Sequence, residues 1–312
     1  MFDGNEKSMC YSAMNILDVR SVARHTLGRL GRLYPLPSGQ HRLSSTKIVR
    51  WACKGATVVQ CGTKGENFLL VDLQDAHGRS PYLFGFNDGK VRDAFRRILR
   101  TGDNAIDIGA NYGAFAVLAA SIVGPSGMVH AFEPQQHQAQ LLEQSAALNG
   151  FGHLYVHQVA LSDVTRQTKM YVFGPDTGFT SFTNPGEGHP RTTFDVIAVR
   201  ADDELEKLGF QSVRLLKIDV EKHEEQVFRG AQKFLLGTPP DYILFEYFPH
   251  TTPFWSSGLV ELMQNAGYNQ FYEIPRTLLR TRFARLAPNE PPQRLSENFI
   301  AQHSSVDERL FD

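Results

Sequence analysis

The chain has 312 residues, 42% of them hydrophobic and 21% charged, with a formal net charge of −1. That balance excludes a disordered or coiled-coil chain and leaves no global field to draw the protein onto nucleic acid or acidic lipid. Three cysteines, Cys10, Cys53 and Cys61, cannot all pair and match no zinc spacing, so free thiols in a cytoplasmic protein are expected.

From residue 1 to about 45 the chain is Arg-rich and weakly periodic, with Leu27, Leu30 and Leu33 at helical spacing before Pro35 and Pro37; one or two helices are expected. Residues 47–73 read as short strands punctuated by Gly55, Gly62 and Gly65, and 91–99 as a helix ended by Thr101-Gly102. Strand and helix then alternate, the signature of βαβ units and a parallel sheet. Strands are expected over 105–108, 128–132, 154–161, 193–199, 214–220 and 241–246, with helices over 114–123, 135–148, 202–208, 223–236 and 259–265. Residues 171–191, rich in Gly, Pro and Thr, read as an inserted substrate loop, and 268–274 with 298–302 as an antiparallel hairpin at the sheet edge. The domain reading is an N-terminal extension over 1–80 and a catalytic domain over 81–312. No segment approaches the roughly 20 apolar residues of a membrane span, and residues 1–22 lack an apolar core of signal-peptide length.

Two constellations carry chemistry. In the first, the apolar run ending at Asp107-Ile108 feeds the turn Gly109-Ala110-Asn111-Tyr112-Gly113, and Glu133 follows the next strand. In open α/β sheets a ligand sits beyond the carboxyl ends of the strands, where such a turn allows close backbone approach and an acid about 20 residues on accepts ribose hydroxyls. A carboxylate at Asp107 repels a pyrophosphate and favours a cationic, amino-bearing ligand, so S-adenosylmethionine fits better than a dinucleotide. Asp163, at the end of the third strand, is the candidate partner for an adenine amine. The second constellation is Lys217-Ile-Asp219-Val-Glu221-Lys222-His223-Glu224. Period-two alternation points Lys217, Asp219 and Glu221 to one side, with Asp219 near the reacting centre. Glu246 ends the fifth strand as a further site candidate, and His223 and His250 are conceivable bases. Asp219, Glu221 and Glu246 could also hold a divalent cation, although none is predicted.

These residues resemble the FkbM family of S-adenosylmethionine-dependent methyltransferases. The likeness rests on Ile106-Asp-Ile-Gly-Ala-Asn-Tyr-Gly113, Ala131-Phe-Glu-Pro134, Ala160-Leu-Ser-Asp163, Leu216-Lys-Ile-Asp-Val-Glu221 with His223-Glu224, and Leu244-Phe-Glu246, over about residues 80–250. It implies a class I methyltransferase fold: a Rossmann-like α/β architecture, a seven-stranded sheet with helices on both faces and an antiparallel last strand. By the same likeness Asp107, Gly109 and Gly113 line the methionine end of the cofactor, Glu133 the ribose, Asp163 the adenine edge and Asp219 the methyl-bearing end. The family usually has glycine where Lys222 stands. The function expected is O-methylation of a small-molecule or glycan hydroxyl, with Asp219 first and Glu246 or His223 next as base or orienting group, and with 177–189 and the N-terminal segment closing over the acceptor. Its rivals are a nicotinamide-dependent oxidoreductase, which Glu133 would serve equally, and a binding module that keeps the fold without transfer. Oligomeric state is left open.

Overall fold

The computed structural model describes residues 6–36, 39–64, 67–172, 180–182, 192–248, 253–277, 280–293, 296–308 and 310–311. The chain opens with α1 (Glu6–Arg32), α2 (Gln40–Ser44) and α3 (Lys47–Cys53), followed by a hairpin of β1 (Val58–Gly62) and β2 (Phe68–Asp72), then α4 (Ala76–Phe84) and α5 (Gly89–Ile98). The alternating part runs β3 (Asn104–Ile108), α6 (Ala114–Val123), β4 (Met128–Phe132), α7 (Gln136–Leu148) and β5 (Leu154–His157). A second sheet interrupts it with β6 (Ala160–Ser162), β7 (Arg166–Val172), β8 (Thr180–Ser181) and β9 (Thr192–Arg200), after which α8 (Ala201–Leu205) leads to β10 (Leu215–Ile218). The remainder is α9 (Glu224–Gly230), α10 (Gln232–Gly237), β11 (Tyr242–Glu246), α11 (Gly258–Asn265), β12 (Tyr268–Glu273), β13 (Ala284–Arg285) and β14 (Asn298–His303).

The main sheet has the order β13-β12-β14-β11-β10-β3-β4-β5. Strands β5, β4, β3, β10 and β11 are parallel neighbours, whereas β14 runs antiparallel between β11 and β12. The sheet therefore has eight strands where seven were expected, the extra one being the two-residue β13. The expected antiparallel pair is present at that end of the sheet as β12 and β14, with β14 on the inner side against β11 and only the two-residue β13 outside β12. Side-chain alternation divides the core. Ala105, Val129, Leu215 and Leu244 face one apolar cluster, while Ile106, Ile108, Leu216, Ile218 and Phe245 face the other, as a sheet covered on both faces requires. Connectivity reverses between β3 and β10, and there the strand ends leave an opening.

Other departures have local causes. Residues 47–53 form a helix, not a strand, because Val49, Ala52 and Cys53 bury one face at helical spacing. The helix α4 is absent from the sequence reading since Gly78 and Pro81 look like breakers. Yet Asp75 caps it through the His77 N–H, Gly85 ends it at φ 79°, and a Cβ on Gly78 would lie 2.0 Å from the Asp72 carbonyl oxygen. The expected strand over 154–161 splits, its second half crossing into the second sheet beside β9. The stretch read as a substrate loop is partly strand, since β7 pairs along β9, while residues 173–179 and 183–191 lie outside the described residues. The helix over 223–236 is two helices, and Asp202 accepts from the Phe234 N–H in the first turn of the second.

The division expected at residues 80 and 81 falls inside α4, and Val49, Leu69 and Leu83 share one apolar cluster with Val117 and Leu142. Hydrogen bonds fasten the β1–β2 hairpin to α7. The Phe68 N–H donates to Asn149 Oδ1 at 2.8 Å, Asn149 Nδ2 donates back to the Phe68 carbonyl at 2.7 Å, and the Leu70 N–H donates to Ser145 Oγ at 2.9 Å. No helix among the described residues is long and apolar enough to cross a membrane; Cys53 and Cys61 are buried free thiols. Asn149→Ala should lower unfolding free energy by about 1–2 kcal/mol in urea titration, the loss of a two-way amide contact. An unchanged midpoint would show that the hairpin is held by apolar packing alone.

Candidate active site

A cavity of about 660 Å³ opens at the carboxyl ends of β3, β4, β10 and β11. Its floor is the first half of the turn, Gly109, Ala110 and Asn111. Gly109 sits at φ 78°, and a Cβ there would lie 1.9 Å from the Asp219 carbonyl oxygen, so the turn presses directly on the end of β10; only glycine meets both conditions. Asn111 is left-handed at φ 51°, a conformation its short amide tolerates, and its Oδ1 accepts from the Tyr112 N–H. Gly113, at φ 81°, starts α6 but lies off the cavity, where a Cβ would meet Leu142 Cδ1 at 2.0 Å. Its role is close helix packing.

The turn is not an anion-binding nest. The N–H groups of Gly109 and Ala110 both donate to the Phe132 carbonyl, that of Asn111 to Glu133 Oε2, that of Tyr112 to Asn111 Oδ1 and that of Gly113 to the Ala110 carbonyl. All five are taken up internally. A pyrophosphate would find no backbone donors here, which separates this turn from those that hold dinucleotides.

Glu133 is 3% exposed and lines the cavity. Its two oxygens accept from the N–H groups of Asn111 and Gln135, each at 2.8 Å. Burial pushes its carboxyl up to about 7, against the pull of those two hydrogen bonds. Each oxygen keeps a second lone pair, so the acid can still accept from a diol. Next to it Phe132, Val159, Leu161, Met170 and Phe182 form an apolar slot.

Asp107 lies elsewhere. It is the register partner of Lys217 across β3 and β10, on the face covered by α6. Both are buried, with Lys217 Nζ 3.0 Å from Asp107 Oδ1 and 3.6 Å from Asp219 Oδ2. The reading that Asp107 itself meets a ligand's amino group is therefore corrected, because alternation along β3 turns its side chain beneath the turn, onto a lysine. Its Oδ2 is buried without a hydrogen-bond partner. Burial raises the Asp107 carboxyl although Lys217 opposes the shift; burial also works against the Lys217 ammonium, but Asp107 and Asp219 outweigh it and hold it above its usual range. Lys217, with an ammonium among several carboxylates, is the firmly charged partner.

Asp219, Glu221 and Glu246 line the cavity with Lys217. Burial, reinforced by Asp219 and Glu224, pushes Glu221 up to about 8; burial, reinforced by Asp219 and Glu221, pushes Glu246 up to about 10. Glu221 and Lys222 are both left-handed, at φ 53° and 70°. Lys222 thus occupies a backbone conformation that favours glycine. Among the described residues no three His, Cys, Asp or Glu side chains group as metal ligands.

Asp163 and His223 do not line the cavity. Ser162 Oγ joins them, donating to Asp163 Oδ1 and lying 2.9 Å from His223 Nε2. His223 is buried against Phe182, and burial lowers its imidazole to about 4, so it is poorly placed to accept an acceptor's proton. His250 lies outside the described residues. The opposite wall, missed in the sequence, comes from Gln40, Asn87, Asp88, Lys90, Arg276 and Glu297. Asn87 Oδ1 is buried without a partner, and Lys90, 2% exposed, has Asp88 4.0 Å away. These residues stand in four separate stretches with no strand-end pattern to mark them.

An open mixed sheet with β14 antiparallel inside it, and a nucleotide-sized cavity at its switch point, defines a class I methyltransferase fold. The Methyltransferase FkbM domain matches residues 107–281, and the chain belongs to that family. It is 30% identical over 162 residues to the 31-O-demethyl-FK506 methyltransferase FkbM of Streptomyces tacrolimicus, a match covering 43% of this chain and 61% of that protein. The chain thus spans about three-fifths of that relative's length. Among solved structures it is similar to the methyltransferase FkbM of Methylobacillus flagellatus KT, at 13% identity and TM-score 0.40 over 91% of this chain and 59% of that one. It is also similar to Aeropyrum pernix fibrillarin in complex with S-adenosyl-L-methionine, at 13% identity and TM-score 0.39 over 68% and 74%.

Among the raised carboxyls, Glu133, Glu221 and Glu246 govern how stability responds to pH near and above neutrality. Glu133, Glu221 and Glu246 hold protons in the folded chain that the unfolded chain releases above about 4.5, so their contribution is complete below that value and is lost as pH rises through about 7 to 10. Ligand-free protein should melt several degrees lower at pH 9 than at pH 6, and Glu246→Gln should recover part of the difference at pH 9. A scanning-calorimetry profile flat across this range in the parent protein would contradict the assignment.

Proposed function

We propose that the protein is an S-adenosylmethionine-dependent methyltransferase acting on a hydroxyl oxygen of a sugar, glycan or natural product. The observation that carries the reading is the cavity itself, in which Glu133, the apolar slot and the Lys217, Asp219 and Glu246 cluster surround one glycine turn. The residues fit the cofactor. Glu133 would hold the ribose hydroxyls, Phe132 and Leu161 the adenine face, and Lys217 with Asp219 the carboxylate and ammonium of the methionine end. When bound, the cofactor supplies an electrophilic methyl group on a positively charged sulfur. A cavity crowded with carboxylates suits that charge, since a nearby cation favours their ionised forms.

Methyl transfer by in-line displacement asks the protein mainly to align two reactants, a contribution of several kcal/mol to the barrier. Asn87, Lys90 and Arg276, on the wall facing the acids, offer the acceptor both donors and an open carbonyl oxygen. The hydroxyl proton goes to Asp219, whose side chain is 42% exposed at the cavity. Glu246 stays neutral near pH 7 and shapes the pocket as a hydrogen-bonding acid. A relative's name supports oxygen as the acceptor atom, since it refers to a 31-O-demethyl compound. The full turn in N–H groups disfavours a dinucleotide.

Calorimetry at pH 7.5 in buffers of different ionisation enthalpy should show S-adenosylmethionine binding with net proton release, as the bound cation lowers Glu221 from about 8. Asp219→Asn should weaken cofactor binding and also cut turnover about 100-fold or more, the fall in turnover persisting at saturating S-adenosylmethionine. Binding of NAD without binding of S-adenosylmethionine would reject the proposal.

A further inference from the structure

A second concavity, of about 540 Å³, shares no lining residue with the first. Five cations, Lys64, Arg92, Arg96, Arg97 and Arg280, face it together with a single carboxylate, Asp93. That carboxylate is already engaged: Arg92 Nη2 lies 2.8 Å from Oδ1, and Thr281 Oγ1 donates to Oδ2 at 2.6 Å. Three of the four other cations have backbone or ring neighbours instead. Lys64 Nζ donates to the Tyr34 carbonyl at 3.1 Å, Arg96 Nη2 to the Lys64 carbonyl at 3.3 Å, and Arg97 Nε to the Leu310 carbonyl. Arg97 also lies over the Phe283 ring at 5.5 Å.

Such contacts position the charges without neutralising them, and each side chain keeps further N–H donors. Arg96 and Arg97 stand in the last turn of α5, where cations complement the helix dipole. Their guanidinium groups nevertheless reach carbonyls of other segments, so end-capping does not explain their direction. Arg92 packs on Phe86 at 4.6 Å, with Lys64 over the same ring at 4.9 Å. The Lys64 amine is lowered by burial and then by Arg92 and Arg32, the mark of a locally positive field. A chain with net charge −1 has thus concentrated cations in one hollow, although like charges held together destabilise the fold.

We propose that this hollow is a binding site for a phosphoryl-bearing anion of pyrophosphate or phosphate-ester type, separate from the methyl-transfer cavity. Several guanidinium forks and an ammonium converging on one space match tetrahedral oxyanions carrying more than one charge, for which arginine is the preferred donor. The site abuts the other cavity back to back, since Phe86 lines one and Asn87 the other. The anion can therefore be a free ligand or the headgroup of a lipid.

Inorganic pyrophosphate titrated into the full chain by calorimetry tests the site, with Arg96→Gln/Arg280→Gln and Lys64→Gln as variants. Arg96, Arg280 and Lys64 are exposed, so the ligand-free melting temperature should hold in at least one variant and vouch for its fold. The expected result is saturable binding to the parent, weakened about tenfold or more in that variant. Sedimentation with phosphatidylglycerol vesicles, against phosphatidylcholine alone, separates the sources. Vesicle binding that pyrophosphate displaces and the variants lose assigns the site to a headgroup, whereas pyrophosphate binding without it assigns a free ligand. Equal pyrophosphate affinity in parent and variants, or an effect reproduced by sodium chloride at matched ionic strength, overturns the proposal.

Discussion

Two opposite charges buried between the central strands hold the floor of the cavity together. Lys217 and Asp107 are register partners on adjacent parallel strands, one from each half of the sheet, joined at the point where connectivity reverses. Desolvating two ions is expensive, and removing either leaves an uncompensated charge worth about 3–5 kcal/mol. A pair so placed is weak evidence for stability and stronger evidence for position. Lys217 also lies 3.4 Å from the Gly109 carbonyl and 3.6 Å from Asp219. One ammonium thereby locates the glycine turn and the acid beyond β10 together, and the contact of Gly109 with the Asp219 backbone follows from that registration.

Around this anchor the charge is distributed unevenly. The cavity gathers Asp219, Glu221 and Glu246 until burial and mutual repulsion keep two of them protonated near neutral pH. The second hollow, behind Phe86, gathers cations with one carboxylate among them. A net charge near zero conceals both. Each arrangement stores electrostatic free energy that a ligand of the opposite sign would release, and the two hollows share the wall formed where the chain passes from α4 into α5.

The readable parts of the sequence were those where one physical signal dominates. Strands β3, β4, β10 and β11 are short apolar runs ending in acids, and the turn after β3 carries its glycines where a positive φ and close approach need them. Asp107 shows the limit of that reading. Its place before the turn suggested a ligand contact, yet its partner is 110 residues away in sequence and known only from strand order. Lys217 and Asp219 were legible as a charged strand end, but not which of them faced down. Helix α4 was hidden by Gly78 and Pro81, although Gly78 is there because the helix presses on Asp72 of β2. Asn87, Lys90 and Arg276 come from loops and helix starts with no periodicity to expose them. Asp163 was read from its position after a strand, and that strand changes sheets before reaching it.

The central claim is that the cavity above the Lys217–Asp107 pair receives a nucleoside through Glu133. Diffraction from crystals grown with S-adenosylhomocysteine tests it most directly. The account predicts density in that cavity with both ribose hydroxyls on the Glu133 carboxylate and the base between Phe132 and Leu161. Ligand bound elsewhere, or a ribose that makes no contact with Glu133, would contradict it.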